Sequence, residues 1–196
     1  MKTLTYFLTA IILVLFSSCN EENDNSYYKF ETKLDAVIPI SPSNSQGFKS
    51  ESAQLNQLIP FSGTNQYEIG DLVDHSNHIH HITPLNGSVL IIPDVNEVSE
   101  ISSLELQWGH KSEIDLYYTM MKSIDLTSLD YNLVDGTARF DLDEVAGQII
   151  AEINNPRMML RFSISGECNS SLNGVAKLQI PVFIESEIHD YRFELF

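Results

Sequence analysis

The chain predicts an all-β domain, a β-sandwich of immunoglobulin-like or Greek-key type, with one short helix near 142–154. Three observations carry that expectation. Apolar and polar residues alternate with a period of two along most of the chain, the spacing of strands that bury one face. Turn signals built on Gly, Asn and Pro recur between these runs. No alternation of strands with crossover helices occurs, so a parallel α/β sheet is excluded. Hydrophobic residues make up 43% of the 196 positions, enough for a core, which excludes wholesale disorder.

In chain order, Tyr28, Phe30, Leu34, Ala36 and Ile38 alternate with Lys29, Glu31, Lys33 and Asp35, predicting a first strand with one wet face. Residues 41–58 are rich in Ser, Asn and Gln and read as a long loop. Tyr67 and Ile69 start a short strand. Asn86-Gly87 forms a turn ahead of the apolar run 89–92, a buried strand ended by Pro93. Leu104, Leu106 and Trp108 alternate with Glu105 and Gln107, while Ile114, Leu116, Tyr118 and Met120 alternate with Asp115, Tyr117 and Thr119. The spacing predicts a hairpin through 109–112, with Trp108 and Tyr118 in the core and Tyr117 in solvent. Shorter strands follow at 124–126, 129–134 and 137–140, with Asp135-Gly136 as a further hairpin turn.

Asp141 as N-cap, with Glu144 three residues later, opens the helix. Leu142, Val145, Ala146, Ile149, Ile150 and Ile153 recur at helical spacing until Asn154-Asn155-Pro156 stops it. Its single apolar face suits the covering of an end or open edge of a sheet. Met158, Leu160, Phe162 and Ile164, then Ala176, Leu178, Ile180, Val182 and Ile184, form two one-sided strands that read as a long antiparallel hairpin. Pro181 lacks an N–H, so the second of these is an edge or is interrupted there. Tyr191, Phe193 and Leu195 give a closing strand. Residues 27–196 are expected to form a single domain.

Charge and motifs bound the function. With 27 acidic against 11 basic residues the formal charge is −16, which excludes nucleic acid and anionic lipid headgroups as partners. Two cysteines make no disulfide scaffold or Cys-ligated metal centre. The chain has no Gly-x-Ser-x-Gly elbow, phosphate-binding glycine loop or EF-hand, and Cys168 reads as a strand-end thiol.

The densest cluster of potential ligands is His75, His78, His80 and His81, with Asp71 and Asp74 nearby. Neutral imidazole binds zinc or copper, and His78 and His80 share a face of an extended chain. A His-rich exposed loop or strand is the plainer reading, because no helical His-Glu-x-x-His arrangement supplies a base. Two function classes follow: a non-enzymatic module that binds a glycan or an envelope protein, and a metal-binding or metal-dependent protein using these four histidines.

The N-terminus carries a separate message. Lys2 precedes an apolar run at 4–16, too short to span a bilayer but right for the core of a secretory signal, and Ser17-Ser18-Cys19 follows. This ending resembles the lipobox of bacterial lipoproteins, with Phe16 where Leu is usual three residues before the Cys. Asn20-Glu21-Glu22-Asn23-Asp24 resembles the acidic tether of Gram-negative lipoproteins exported to the outer face. The resemblance implies a signal peptide at 1–18, a diacylated Cys19 as first residue, and a flexible tether at 19–26. It also implies an outer-membrane, surface-exposed location, with membrane attachment through the lipid. Cleavage before Cys19 removes Lys2 and no carboxylate, leaving 27 acidic against 10 basic residues, net −17.

Overall fold

The computed structural model describes residues 27–43, 58–72, 78–95, 100–111, 117–119, 121–127, 129, 131–151, 153 and 157–187. The signal segment, Cys19, most of the 41–58 loop and the closing strand at 191–195 lie outside the described residues.

Ten strands and a helix are formed among the described residues: β1 (Tyr27–Pro42), β2 (Ile59–Glu68), β3 (His78–Pro84), β4 (Val89–Pro93), β5 (Ile101–Lys111), β6 (Lys122–Asp125), β7 (Tyr131–Val134), β8 (Thr137–Asp141), α1 (Asp143–Ile150), β9 (Met159–Cys168) and β10 (Gly174–Glu187). Every pairing is antiparallel. Hydrogen bonding runs β6-β5-β9-β2-β1-β10-β4-β8-β7, and β3 pairs with β10 as well.

That network cannot be flat. Nine strands side by side span about 38 Å at roughly 4.8 Å per step. Yet β6 and β7, at its two ends, are joined through residues 126–130 alone, a link that reaches about 22 Å fully extended. The row therefore curls until its edges approach. The turning point is β1, which pairs with β10 from Tyr27 to Ile40 but with β2 only from Ile40 to Pro42. Most of β1 thus lies in one sheet, β1-β10-β4-β8-β7 with β3, and its tail enters the other, β6-β5-β9-β2. A strand that changes sheets is how sandwich corners are made. At this corner Gly63 of β2 faces Ile40, and a Cβ there would overlap the Pro39 carbonyl and the Ile40 side chain.

The molecule is accordingly an all-β sandwich. Its core is one cluster drawn from both sheets: Leu34, Ile38, Leu178 and Ile180 on one side, Phe61, Leu106, Trp108 and Phe162 on the other, all buried. Each such side chain contributes about 1.5–3 kcal/mol by leaving water. The even-numbered residues 34–40 of β1, 104–108 of β5, 160–164 of β9 and 176–184 of β10 are buried, as the alternation predicts, whereas Tyr28 at the start of β1 is exposed.

Helix α1 is shorter than the expected 142–154. It ends at Ile150, and Val145, Ala146, Ile149 and Ile150 are buried. The Asp141 carboxylate accepts the N–H of Asp143 at 2.9 Å, but the N-cap position falls on Leu142, one residue later than expected, and carries no side-chain cap. The return bond expected of Glu144 is not made among the described residues. Instead Asp143 reaches out of the helix, accepting the N–H groups of Gly87 (2.9 Å) and Ser88 (2.7 Å) in the turn before β4. The helix packs near β3, whose second edge has no strand partner among the described residues.

Two expected hairpins are corrected. β9 and β10 do not pair: β9 lies between β2 and β5, and β10 between β1 and the β3/β4 pair. Residues 169–173 carry the chain from one sheet to the other. Period-two spacing states which face a strand buries, not which strand it neighbours. Likewise β5 takes β6 as its hairpin partner through Trp108↔Lys122 to Glu105↔Asp125; of the expected 114–120 run only 117–119 lie among the described residues, where the Thr119 N–H donates to the His110 carbonyl at 2.8 Å. Pro181, by contrast, marks an interruption as expected. β10 is central, and Pro181 falls between its stretch paired with β3 (182–187) and its stretch paired with β4 (177–179). Its carbonyl accepts Leu85 N–H at 2.8 Å on that side, so the missing N–H faces the gap between the two strands.

Candidate functional site

The outward face of the β6-β5-β9-β2 sheet is built from rows fixed by register. Ser62, Ser165, Glu105 and Asp125 stand side by side across the four strands, followed by Thr64, Ser163, Gln107 and Ser123, then Gln66, Arg161 and Gly109. These are the polar phases of strands whose other phase forms the core, so rigid backbone aims all of them outward.

Hydrogen bonds organise the rows. Ser163 Oγ donates to Thr64 Oγ1 at 2.9 Å, and Thr64 Oγ1 donates to the Phe162 carbonyl at 3.0 Å. Asn65 Nδ2 donates to the Val37 carbonyl at 2.6 Å, tying β2 to β1. Thr127 supports Asp125: its N–H donates to Oδ1 at 2.8 Å, and its hydroxyl, the larger influence, together with that N–H holds the carboxyl below the usual aspartate range.

Two shallow depressions divide this face. The first, of about 530 Å³, carries Glu105, Asp125 and Glu167 among Ser62, Ser165 and Thr127. The second, of about 630 Å³, is lined by Thr64, Gln66, Gln107, Met121, Arg161 and Ser163 and contains no carboxylate. One face therefore holds an anionic and a cationic half.

Tyr118 sits at the cationic half, and the expectation of a core position is corrected. The Arg161 guanidinium lies 4.0 Å and Lys111 Nζ 5.0 Å from its ring centroid, on the outward side of β5 and β9. The ring is half-buried there, with its hydroxyl oxygen buried and unpartnered among the described residues. The segment around it crosses Gly109, where a Cβ would strike Met121 Sδ. Strand phase failed for Tyr118 because residues 117–119 are not in a strand. Trp108 is buried in the core and Tyr117 is 83% exposed, both as expected.

No protein-family model matches the chain, and no curated protein matches it. Among solved structures it is similar to one from Cocksfoot mottle virus, at 8% identity over 82% of this chain and 85% of that one, with a TM-score of 0.32. A mannan-recognising carbohydrate-binding module matches at 11% identity over 66% of each chain, TM-score 0.27. A module specific for non-crystalline cellulose matches at 11% over 76% of this chain and 85% of that one, TM-score 0.28. Likeness at this level says nothing of ligand, and the sandwich assignment rests on the strand pairing.

The other residues singled out in the sequence lie elsewhere. Cys19 and His75 are outside the described residues, as is the side chain of His78, whose backbone opens β3. His80 and His81 are exposed on β3. Glu185 pairs with His81 and Ser186 with Ile79, so His80 is the extra residue of a bulge. Both imidazoles come near Glu185, whose carboxyl is held below its usual range, mainly by Lys29 Nζ at 2.6 Å and less by the two histidines. Among the described residues no three His, Cys, Asp or Glu side chains converge on a point where zinc or copper would sit. Cys168 ends β9 and is buried.

Proposed function

We propose that this chain is a non-enzymatic binding module carried by a lipoprotein of a Gram-negative outer membrane. Cys19 bears the lipid, residues 19–26 act as the tether, and the sandwich is presented at the cell surface. The outward face of β6-β5-β9-β2 is the binding surface. The observation that carries this reading is the composition of that face: hydroxyls, carboxamides, carboxylates and a guanidinium ordered in strand register on a rigid sheet. Gln66 and Gln107 flank β9 diagonally, and their carboxamides have no side-chain hydrogen bond among the described residues. Such amides, each with two donors and an acceptor, suit a polyhydroxylated glycan. The lipobox-like Cys19 and the acidic stretch after it support the anchored, outward-facing placement.

Two measurements test it. Radiolabelled palmitate should enter the wild-type protein and not Cys19→Ser, which should also leave the membrane fraction; labelling that persists in Cys19→Ser excludes this anchor. The mature Cys19→Ser chain should bind at least one glycan on a panel of envelope and environmental polysaccharides. The Gln66→Ala/Gln107→Ala double variant should weaken that binding, and Lys177→Ala, on the opposite sheet, should leave it intact. Equal loss from both substitutions would remove the face from consideration.

A further inference from the structure

We infer that the cationic half of this face recognises a single carboxylate on an otherwise neutral glycan, an isolated uronic- or sialic-type sugar acid, with Arg161 as the carboxylate-binding residue. The inference rests on the face reading above and names its ligand class.

Arg161 is a cation on a protein with more than twice as many acidic as basic residues, yet among the described residues it forms no ion pair. Lys111, its neighbour over the same ring, forms none either. A guanidinium lying 4.0 Å from the Tyr118 ring centroid has its orientation fixed by the aromatic contact. Fixed this way, its N–H fork can meet a planar carboxylate through two parallel hydrogen bonds, which a flexible ammonium cannot match. The ring is occupied by this contact, so sugar recognition here runs through hydrogen bonds and charge. Gln66 stands opposite Arg161 on β2, and Ser163 and Gln107 lie one row away. They supply neutral donors and acceptors for hydroxyls beside the carboxylate.

Charge sets the limit on ligand valence. Two cations that form no ion pair among the described residues confront one carboxylate favourably, but the three carboxylates of the adjoining depression and a net charge of −16 repel a polyanion. An acid group spaced widely along a neutral chain fits. A polyuronate does not.

The test uses the mature Cys19→Ser chain and calorimetric titration with two matched pairs: sialyllactose against lactose, and glucuronic acid-substituted xylotetraose against xylotetraose. At least one acidic probe should bind about tenfold or more tighter than its neutral partner. Arg161→Gln should abolish that preference and Arg161→Lys should reduce it, because charge remains and the fork is lost. Arg139→Gln removes the same charge from β8 on the other sheet and should leave the preference unchanged. Thermal melts check that the variants fold; if Arg161→Gln does not, Arg161→Lys decides. Equal affinity within both pairs, a preference that survives both Arg161 variants, or no binding by any of the four probes overturns the inference. In the last case, glycan binding elsewhere on the panel that is lost in Gln66→Ala/Gln107→Ala would leave the face reading standing.

Discussion

Asp143 shows how one exposed carboxylate can join two parts of a fold. It sits in the first turn of α1, where the helix dipole already favours an anion, and it also accepts the Gly87 and Ser88 N–H groups 56 and 55 residues away. Those N–H groups, Gly87 first, hold its carboxyl below the usual aspartate range. A carboxyl depressed in the native state stabilises fully above its unfolded value, and that contribution fades as pH falls through the native one. Asp143→Asn should therefore cost about 1 kcal/mol near neutrality, a figure kept small by solvent screening at this exposed site. The gap between variant and wild type should close below pH 3.8. Urea unfolding at pH 7 and pH 3 measures both; a gap that widens in acid would contradict the assignment. The sequence marks the acidic start of this helix, because capping is local. The clamp on the 87–88 turn is a long-range contact, which no spacing rule reports. Tyr118 follows the same logic in reverse: alternation placed it inside, and a break in the strand turned it out beneath Arg161.

Among elements, strands are legible and their partners are not. One-sided burial writes period two into β1, β5, β9 and β10, so their existence follows from composition of the faces. Pairing is set by how the curled row closes, and β9 and β10 share a hairpin-like pattern while lying in different sheets. β3 is legible only as a His-rich exposed loop or strand, because the bulge at His80 interrupts its alternation. The corner at β1 gives a test by glycine. Gly63→Ala forces a methyl group into the Pro39 carbonyl and the Ile40 side chain, where backbone must shift, and should cost about 1–3 kcal/mol. Gly147→Ala, in α1 with nothing within 4 Å of its would-be Cβ, should stabilise by roughly 0.5–1 kcal/mol through helix propensity. Denaturant midpoints of the two variants should move in opposite directions. A neutral Gly63→Ala would mean that β1 does not cross β2 closely at Ile40.

At the scale of the whole molecule the sequence states the charge but not its arrangement. The chain's net charge of −16 acts against compaction, because like charges are closer together when folded. Local pairs such as Lys29–Glu185 and Lys33–Asp35 offset part of this on the β1-β10 sheet, although exposed pairs contribute little each. The candidate face shows a different pattern, with Glu105, Asp125 and Glu167 gathered in one depression and Arg161 in the next. Only register could reveal this, since these residues come from three strands, β5, β6 and β9. Global repulsion is long-ranged, so salt should relieve it: the Debye length falls from about 30 Å at 0.01 M to about 8 Å at 0.15 M. Raising sodium chloride from roughly 0.01 M to roughly 0.15 M should therefore lift the melting temperature by about 2–4 °C, the equivalent of about 1 kcal/mol for a chain of this length. Chloride is the anion to use, because sulfate strengthens apolar burial by itself and would mask the effect. A melting temperature that fell over this range would show that attractive contacts between fixed charges, the Lys29 and Lys33 pairs foremost, outweigh the self-repulsion of the acidic surface.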